Sequence, residues 1–188
     1  MERLIEFSDR AKAAMRGKKH YVYPLSGKRL YDFGGDIIES GWHRYQSYFA
    51  FENTQSILSE VSFDPLTFVI PLSHSQPFEV QLQMAREYEA HLKRGVPDVR
   101  VAIGNITDYV ELYRLHLRNR PQDRLLGRHR SIRTSTRIFE HGVIHVGPHY
   151  SSTALYIDHG NAAHREGHIF IAPLIVPEEL LTNDSQTG

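Results

Sequence analysis

Apolar residues recur every three or four positions in three segments of the chain. Residues 2–16, 77–94 and 106–120 show this spacing, which is typical of a helix with one buried face. Each segment is followed at once by a glycine or a proline, and both residues commonly end a helix. The pattern therefore predicts three helices.

Short runs of β-branched and aromatic residues predict strands between these helices. Residues 20–25 and 29–33 flank a serine–glycine pair, which predicts a β-hairpin. Residues 66–72 and 99–103 stand on either side of the second helix and predict two more strands. Strand, helix, strand and helix in this order predict a βαβ-like central unit, in which a right-handed crossover joins two parallel strands.

The C-terminal third of the chain is rich in strand-forming residues. Four strands are predicted there, at residues 131–139, 142–146, 153–157 and 168–175. Glycine, proline and aspartate between them indicate turns, so we expect antiparallel pairing. The predicted fold class is α+β, with a mixed sheet around the βαβ-like unit and an antiparallel, strand-rich C-terminal third.

The domain organisation follows from the same patterns. Residues 37–62 are dense in aromatic side chains and predict one or two short helices, and residues 177–181 predict a terminal helical turn. We expect a single α+β domain over residues 1–181 and a flexible tail at 182–188. A chain of this length can bury roughly 70% of the surface that its unfolded form exposes, so it needs no disulfide or metal to fold.

Composition narrows the classes of function. The 188 residues include no cysteine, which excludes disulfide frameworks, thiolate catalysis, zinc fingers and iron–sulfur clusters. No apolar run approaches the roughly 20 residues that a membrane span requires. The charged N-terminal segment lacks the apolar core of a secretory signal. We therefore expect a cytoplasmic protein that does not contact a membrane.

Residues 114–137 form an arginine strip within a chain of zero net charge. The strip has eight arginines, no lysine and a single acidic residue, so it carries a net charge of +7 and the rest of the chain −7. Its members are Arg114, Arg118, Arg120, Arg124, Arg128, Arg130, Arg133 and Arg137. Planar guanidinium groups suit bidentate contact with phosphate, so the strip predicts a nucleic acid or polyphosphate partner. The alternative is pairing with acidic residues of the same chain or of another copy.

One predicted strand in the strip alternates two kinds of side chain. A period of two places Ile132, Thr134, Thr136 and Ile138 on one face, and Ser131, Arg133, Ser135 and Arg137 on the other. The first face is expected to be core, and the second to bind phosphate. The residues predicted to contact phosphate are Arg114, Arg118, Arg124, Arg128, Arg130, Arg133, Ser135 and Arg137.

Histidine is also concentrated in the C-terminal half. Seven of the twelve histidines lie between residues 129 and 168. Because imidazole titrates near neutral pH, His129, His145 and His149 are candidates for acid–base catalysis. The spacings match no tight metal motif such as HExxH, so we assign no metal ligand and leave any cofactor open.

Three functions are compatible with these features. The leading hypothesis is a phosphate-binding or nucleic-acid-binding protein that uses the arginine strip, within a nucleoprotein or mobile-element system. The first alternative is a phosphodiesterase or nuclease, in which a histidine transfers protons and arginines stabilise the developing phosphoryl charge. The second is a structural subunit of a self-assembling homo-oligomer, whose basic strip meets the acidic surface of the next copy.

Overall fold

A computed structural model describes residues 3–33, 53–126, 130–138, 142–148 and 155–183. The helices are α1 (Asp9–Gly17), α2 (Phe78–Leu92), α3 (Ile106–Asn119) and α4 (Glu178–Asn183), and Leu30–Phe33 forms a 3₁₀ helix. The strands are β1 (Tyr21–Pro24), β2 (Glu60–Phe63), β3 (Val99–Ile103), β4 (Ser131–Ile138), β5 (Gly142–Pro148), β6 (Leu155–Asn161), β7 (Ile169–Ile171) and β8 (Pro173–Pro177). Among the helices of these ranges, none is long and apolar enough to cross a membrane.

The strands form two four-stranded sheets. Sheet 1 has the order β1-β2-β8-β3, and all its neighbouring strands are antiparallel. Sheet 2 has the order β6-β5-β4-β7, with antiparallel pairs except for β7, which runs parallel to β4. The chain passes from sheet 2 to sheet 1 at Ala172, the one residue between β7 and β8.

Helix α3 belongs to the largest apolar cluster, which also contains residues of both sheets. Its buried side chains include Ile106, Tyr109 and Tyr113, and they pack with Phe63 of sheet 1 and Ile132 of sheet 2. Burial of α3 extends beyond its apolar face, because Thr107, Asp108, Glu111 and His116 are buried as well. The helix starts at a capping box, in which the Asn105 and Asp108 side chains accept hydrogen bonds from each other's backbone N–H groups.

Helices α1 and α2 cover other surfaces of the two sheets. On α2, Phe78 and Ala85 pack against Val143 and Ile171 of sheet 2. Helix α1 contributes Met15 to a third cluster, together with apolar residues of β3 and β8. Sheet 2 is therefore covered by α3 on one face and by α2 on the other.

The α+β class and the antiparallel, strand-rich C-terminal region are confirmed. Helices α2 and α3 and strand β3 lie where the sequence predicts them. The strand predicted at residues 168–175 is divided into β7 and β8, which belong to different sheets.

The strand predicted at residues 66–72 does not form. The Asp64 carboxylate accepts hydrogen bonds from the Leu66 N–H at 2.9 Å and the Thr67 hydroxyl at 2.7 Å, which closes a turn. Pro65 and Pro71 also lack the N–H that a sheet ladder needs. Strand β3 pairs with β8 in antiparallel orientation instead, so the βαβ-like unit is not found among the described residues.

Two N-terminal predictions also change. Strand β1 pairs with β2 rather than forming a hairpin with residues 29–33, because Asp32 accepts a hydrogen bond from Arg29 N–H and the segment turns into the 3₁₀ helix. Helix α1 begins only at Asp9, where the Ser8 hydroxyl caps it. Residues before this cap are extended, and Ile5 forms a bridge with Ser59.

Several predictions fall partly or wholly outside the described part of the chain. The short helices expected in residues 37–62 lie largely in residues 37–52, which are outside the described ranges. Residues 53–62 are described and lead into strand β2. Helix α4 continues to Asn183, two residues beyond the predicted end of the domain, and residues 184–188 are not described.

Candidate functional site

Arg133 lies inside the protein rather than on an open face. Its guanidinium donates hydrogen bonds to Gln81 Oε1 at 3.0 Å and to the Gln76 and His164 carbonyls at 3.3 Å, with the Phe78 ring 5.9 Å away. Only 2% of the residue is exposed. Helix α2 covers this face of β4, which the alternating pattern alone could not reveal. The guanidinium is therefore committed to internal acceptors.

Strand β4 also departs from strict alternation. Its pairing with β5 shifts between Arg133 and Arg137, as in a β-bulge. The expected core residues Ile132, Thr134 and Ile138 are buried and Thr136 is half-buried, whereas Ser131 on the expected polar face is buried as well. Ser135 and Arg137 are exposed, as predicted.

The remaining described arginines of the strip separate into two groups. Arg114 lies 5.8 Å from the centre of the Phe33 ring, and Arg120 lies 4.0 Å from that of Tyr21, so both stack on aromatic residues near α3. Arg118 is exposed on the last turn of α3. Arg124 and Arg130 instead line a common groove of about 510 Å³.

The groove combines basic and apolar side chains. Its titratable lining residues are Arg124, Arg130 and His74, and no described acidic residue lines it. The Arg130 guanidinium lies 5.3 Å from the centre of the Phe170 ring, and the His74 ring lies 4.9 Å from the same centre. His74 Nδ1 is buried and has no hydrogen-bond partner among the described residues. The groove thus presents cations beside an aromatic ring, an arrangement suited to an anion with a flat or apolar part.

Strand β7, the start of β4 and the turn after α3 form two of the three sides of the groove. Phe170 lies in β7, opposite Ile132 of β4, and Arg130 stands just before β4. On the other side, His116 Nε2 donates a hydrogen bond to the Asp123 carbonyl at 2.8 Å and thereby holds the turn that leads to Arg124. The buried His116 ring also lies 3.1 Å from the Tyr23 hydroxyl through Nδ1, and burial lowers the pKa of His116.

The third side is the turn-rich segment at residues 65–74. The Ile70 N–H donates to the Ile171 carbonyl at 2.9 Å, which attaches this segment to the edge of sheet 2. Leu72 and Ser75 have left-handed backbone conformations, with φ of 62° and 59°. Leu66 and Leu72 are 91% and 75% exposed at the rim of the groove.

A second polar cluster lies on the α2 side of sheet 2. The strand register places Arg133, His145 and Asp158 in one row across β4, β5 and β6. The following loop adds Glu166 and His168, and the His168 ring centre lies 6.2 Å from that of His145. These five residues are called the histidine cluster below.

The imidazole of His145 is the buried member of this cluster. The residue is 3% exposed, and its Nδ1 has no hydrogen-bond partner among the described residues. Burial lowers the pKa of His145 to about 4, with His168 and Arg133 acting in the same direction and Asp158 opposing them. His145 is therefore neutral at pH 7. The described residues include no group of three or more ligands placed to hold a metal ion.

The predicted site residues are thus only partly brought together. Arg124 and Arg130 meet in the groove, whereas Arg114, Arg118, Arg133, Ser135 and Arg137 lie elsewhere. Arg128, His129 and His149 lie outside the described residues.

Apart from Arg124 and Arg130, sequence reasoning assigned none of the groove residues to a site, and those missed include Leu66, Leu72, His74 and Phe170. The first two were hidden by the prediction of a buried strand, and no charge or spacing pattern pointed to the others. Comparison with protein-family models, curated proteins and solved structures gave no significant match.

Proposed function

We propose that the protein binds phosphate groups of a nucleic acid in the groove between Arg124 and Arg130. The observation that carries this proposal is the convergence of two guanidinium groups and His74 on one groove, with no described acidic residue in its lining. Among the described residues, the arginines that form ion pairs with carboxylates are Arg29 and Arg100, and Arg124 and Arg130 form none. Guanidinium–phosphate pairs are among the stronger charge-assisted hydrogen bonds.

Charge elsewhere on the chain supports a local site. Outside the arginine strip the chain has a net charge of −7, which disfavours long contact with a polyanion. Within the strip, Arg133 is already hydrogen-bonded inside the protein, and Arg114 and Arg120 do not line the groove. The interface is therefore expected to engage two or three phosphates rather than one for each arginine of the strip.

The salt dependence of binding tests this proposal. Two or three phosphate contacts predict that log K falls with log salt concentration with a slope of about −1.5 to −2.5. Arg124→Ala and Arg130→Ala should each weaken binding of a labelled oligonucleotide. Each should also make the slope less negative by the amount that one phosphate contact contributes. Arg86→Ala, at an exposed position of α2 outside the groove, is the matched control and should change neither quantity.

Arg137→Ala separates the groove from the wider strip. Arg137 is exposed but does not line the groove. If this substitution weakens binding as much as Arg130→Ala does, the site follows the strip and the groove assignment is wrong. If Arg124→Ala, Arg130→Ala and Arg137→Ala all bind with unchanged affinity and slope, phosphate binding by these residues is excluded.

The histidine cluster supports a second candidate function, phosphodiester cleavage. The supporting observation is a buried neutral imidazole, His145, with an unpartnered Nδ1 and a second imidazole, His168, at the protein surface. Short RNA and DNA oligonucleotides should be incubated with the protein, with His145→Gln and with His168→Gln. Cleavage that both substitutions abolish would support this function, and intact oligonucleotides would exclude it for these substrates.

The wider biological setting is proposed from the sequence alone. Binding of RNA or DNA fits a component of a nucleoprotein or mobile-element system in the cytoplasm. The opposite charges of the strip and of the remaining chain support assembly of several copies, which light scattering at low and high salt would test.

A further inference from the structure

We propose that the groove recognises single-stranded nucleic acid, by placing an unpaired base against its apolar rim while the arginines hold the adjacent phosphates. This inference rests on the proposed function and adds the class of nucleic acid. The apolar rim of the groove consists of Leu66, Leu72 and Phe170. The side proposed to bind phosphate consists of Arg124 and Arg130.

The rim is unusually exposed for apolar side chains of this size. Leu66 is 91% exposed and Leu72 is 75% exposed, the two highest values among the large apolar residues described. A single exposed leucine needs no explanation, but here two of them flank a groove whose remaining wall includes an aromatic ring and prolines. Such a surface gains free energy by covering apolar area, which a nucleobase provides and a bare phosphate does not.

The backbone holds this rim in place. Leu72 has φ of 62°, a left-handed conformation that is uncommon for a bulky residue, and Ser75 has φ of 59°. The turn is fixed at one end by the Asp64 carboxylate and further along by the hydrogen bond from Ile70 N–H to the Ile171 carbonyl. Conformations of this kind persist only where their surroundings determine them, and they occur preferentially at ligand-binding sites.

The distribution of charge favours a single strand over a duplex. A duplex hides the faces of its bases in the stack and presents two lines of phosphate, which require a broad basic surface. Among the described residues, the basic lining of this groove consists of Arg124, Arg130 and His74. A single strand can present one unstacked base together with its neighbouring phosphates, and that set matches the groove in both charge and apolar area.

Fluorescence anisotropy with three labelled probes of equal length tests the inference. The probes are a single-stranded oligothymidylate, the corresponding duplex, and an oligomer with the same backbone in which the central positions are abasic. We expect the intact single strand to bind about tenfold more tightly than the abasic oligomer, a difference of about 1.4 kcal/mol, because only the intact strand can cover the apolar rim with a base. The duplex should bind no better than the abasic oligomer.

Substitutions in the rim identify the contact. Leu66→Ala and Leu72→Asn should bring the affinity for the intact strand close to that for the abasic oligomer. Asparagine is chosen at residue 72 because it tolerates the left-handed backbone there. Val80→Ala, at an exposed apolar position of α2 outside the groove, is the control and should leave the difference between the probes unchanged.

The outcomes separate this inference from the proposed function. If all probes bind equally well and binding still depends on Arg124 and Arg130, the groove is a phosphate site and the inference is wrong. The same holds if the duplex binds as tightly as the single strand, or if inorganic polyphosphate competes as well as the intact oligomer. If no probe binds, the proposed function itself fails.

Discussion

Replacement of His145 by glutamine should change the pH dependence of stability in a defined direction. The imidazole is 3% exposed, and burial lowers its pKa to about 4 in the folded protein, against about 6.5 in the unfolded chain. Between these values the unfolded chain binds a proton that the folded protein does not. Folding stability from this group is therefore lost as the pH falls from about 6.5 to about 4.

The size of the effect follows from proton linkage. A pKa difference of about 2.5 corresponds to a loss of about 3 kcal/mol by pH 4. Asp108 acts in the opposite direction: burial raises the pKa of this carboxyl to about 6, so acidification to pH 4 stabilises the fold by about 2 kcal/mol. The two contributions oppose each other in the unmodified protein, so its pH dependence alone does not separate them.

Single substitutions uncover each contribution. Urea unfolding followed by circular dichroism should be measured from pH 7 to pH 4 for the unmodified protein, for His145→Gln and for Asp108→Asn. On acidification the unmodified protein should lose about 3 kcal/mol relative to His145→Gln and gain about 2 kcal/mol relative to Asp108→Asn. A stability difference between the protein and His145→Gln that does not vary with pH would refute the assignment of His145 as a buried neutral group.

Three further predictions concern the buried polar groups and strand β4. Arg133→Met should cost about 3 kcal/mol in the free energy of unfolding, because Gln81 Oε1 loses a buried donor, and it should leave the salt slope of binding unchanged. Ile138→Asp buries an unpaired charge and should prevent folding, whereas Ser135→Asp at an exposed position should retain the native circular dichroism spectrum. Glu111→Ala should lower the free energy of unfolding in urea by about 2–4 kcal/mol. The buried Glu111 carboxylate accepts hydrogen bonds from the N–H and hydroxyl of Ser26 and from the hydroxyl of Ser56, and the substitution removes this acceptor.

Elements whose local signals all agree could be predicted from the sequence. Helix α3 has a capping residue, Asn105, an apolar repeat and a terminating proline, and all three point to the same segment. The predicted bounds of strand β3, Val99–Ile103, match the observed ones, because β-branched residues at every second position lie between two turn signals. In these elements local preference and tertiary packing agree.

The errors occur where the local signal is ambiguous. Residues 66–72 combine an apolar run with Asp64, Pro65 and Pro71, and the hydrogen bonds of the Asp64 side chain decide in favour of a turn. The apolar run predicts a buried strand, although Leu66 and Leu72 are exposed. The burial of an apolar residue depends on what packs against it, and sequence periodicity alone does not contain that information.

The candidate site shows the same limit for charge. A run of arginines in sequence predicts a basic surface only if the intervening structure keeps the side chains together. Here Arg130 lies beside Phe170 on the side of sheet 2 that carries Ile132, whereas Arg133, an odd number of residues further on, lies on the opposite side beneath α2. The sheet therefore divides the strip between two environments. One arginine contributes to an open groove, and the other, a member of the histidine cluster, donates hydrogen bonds inside the protein to Gln81 and to the carbonyl of His164.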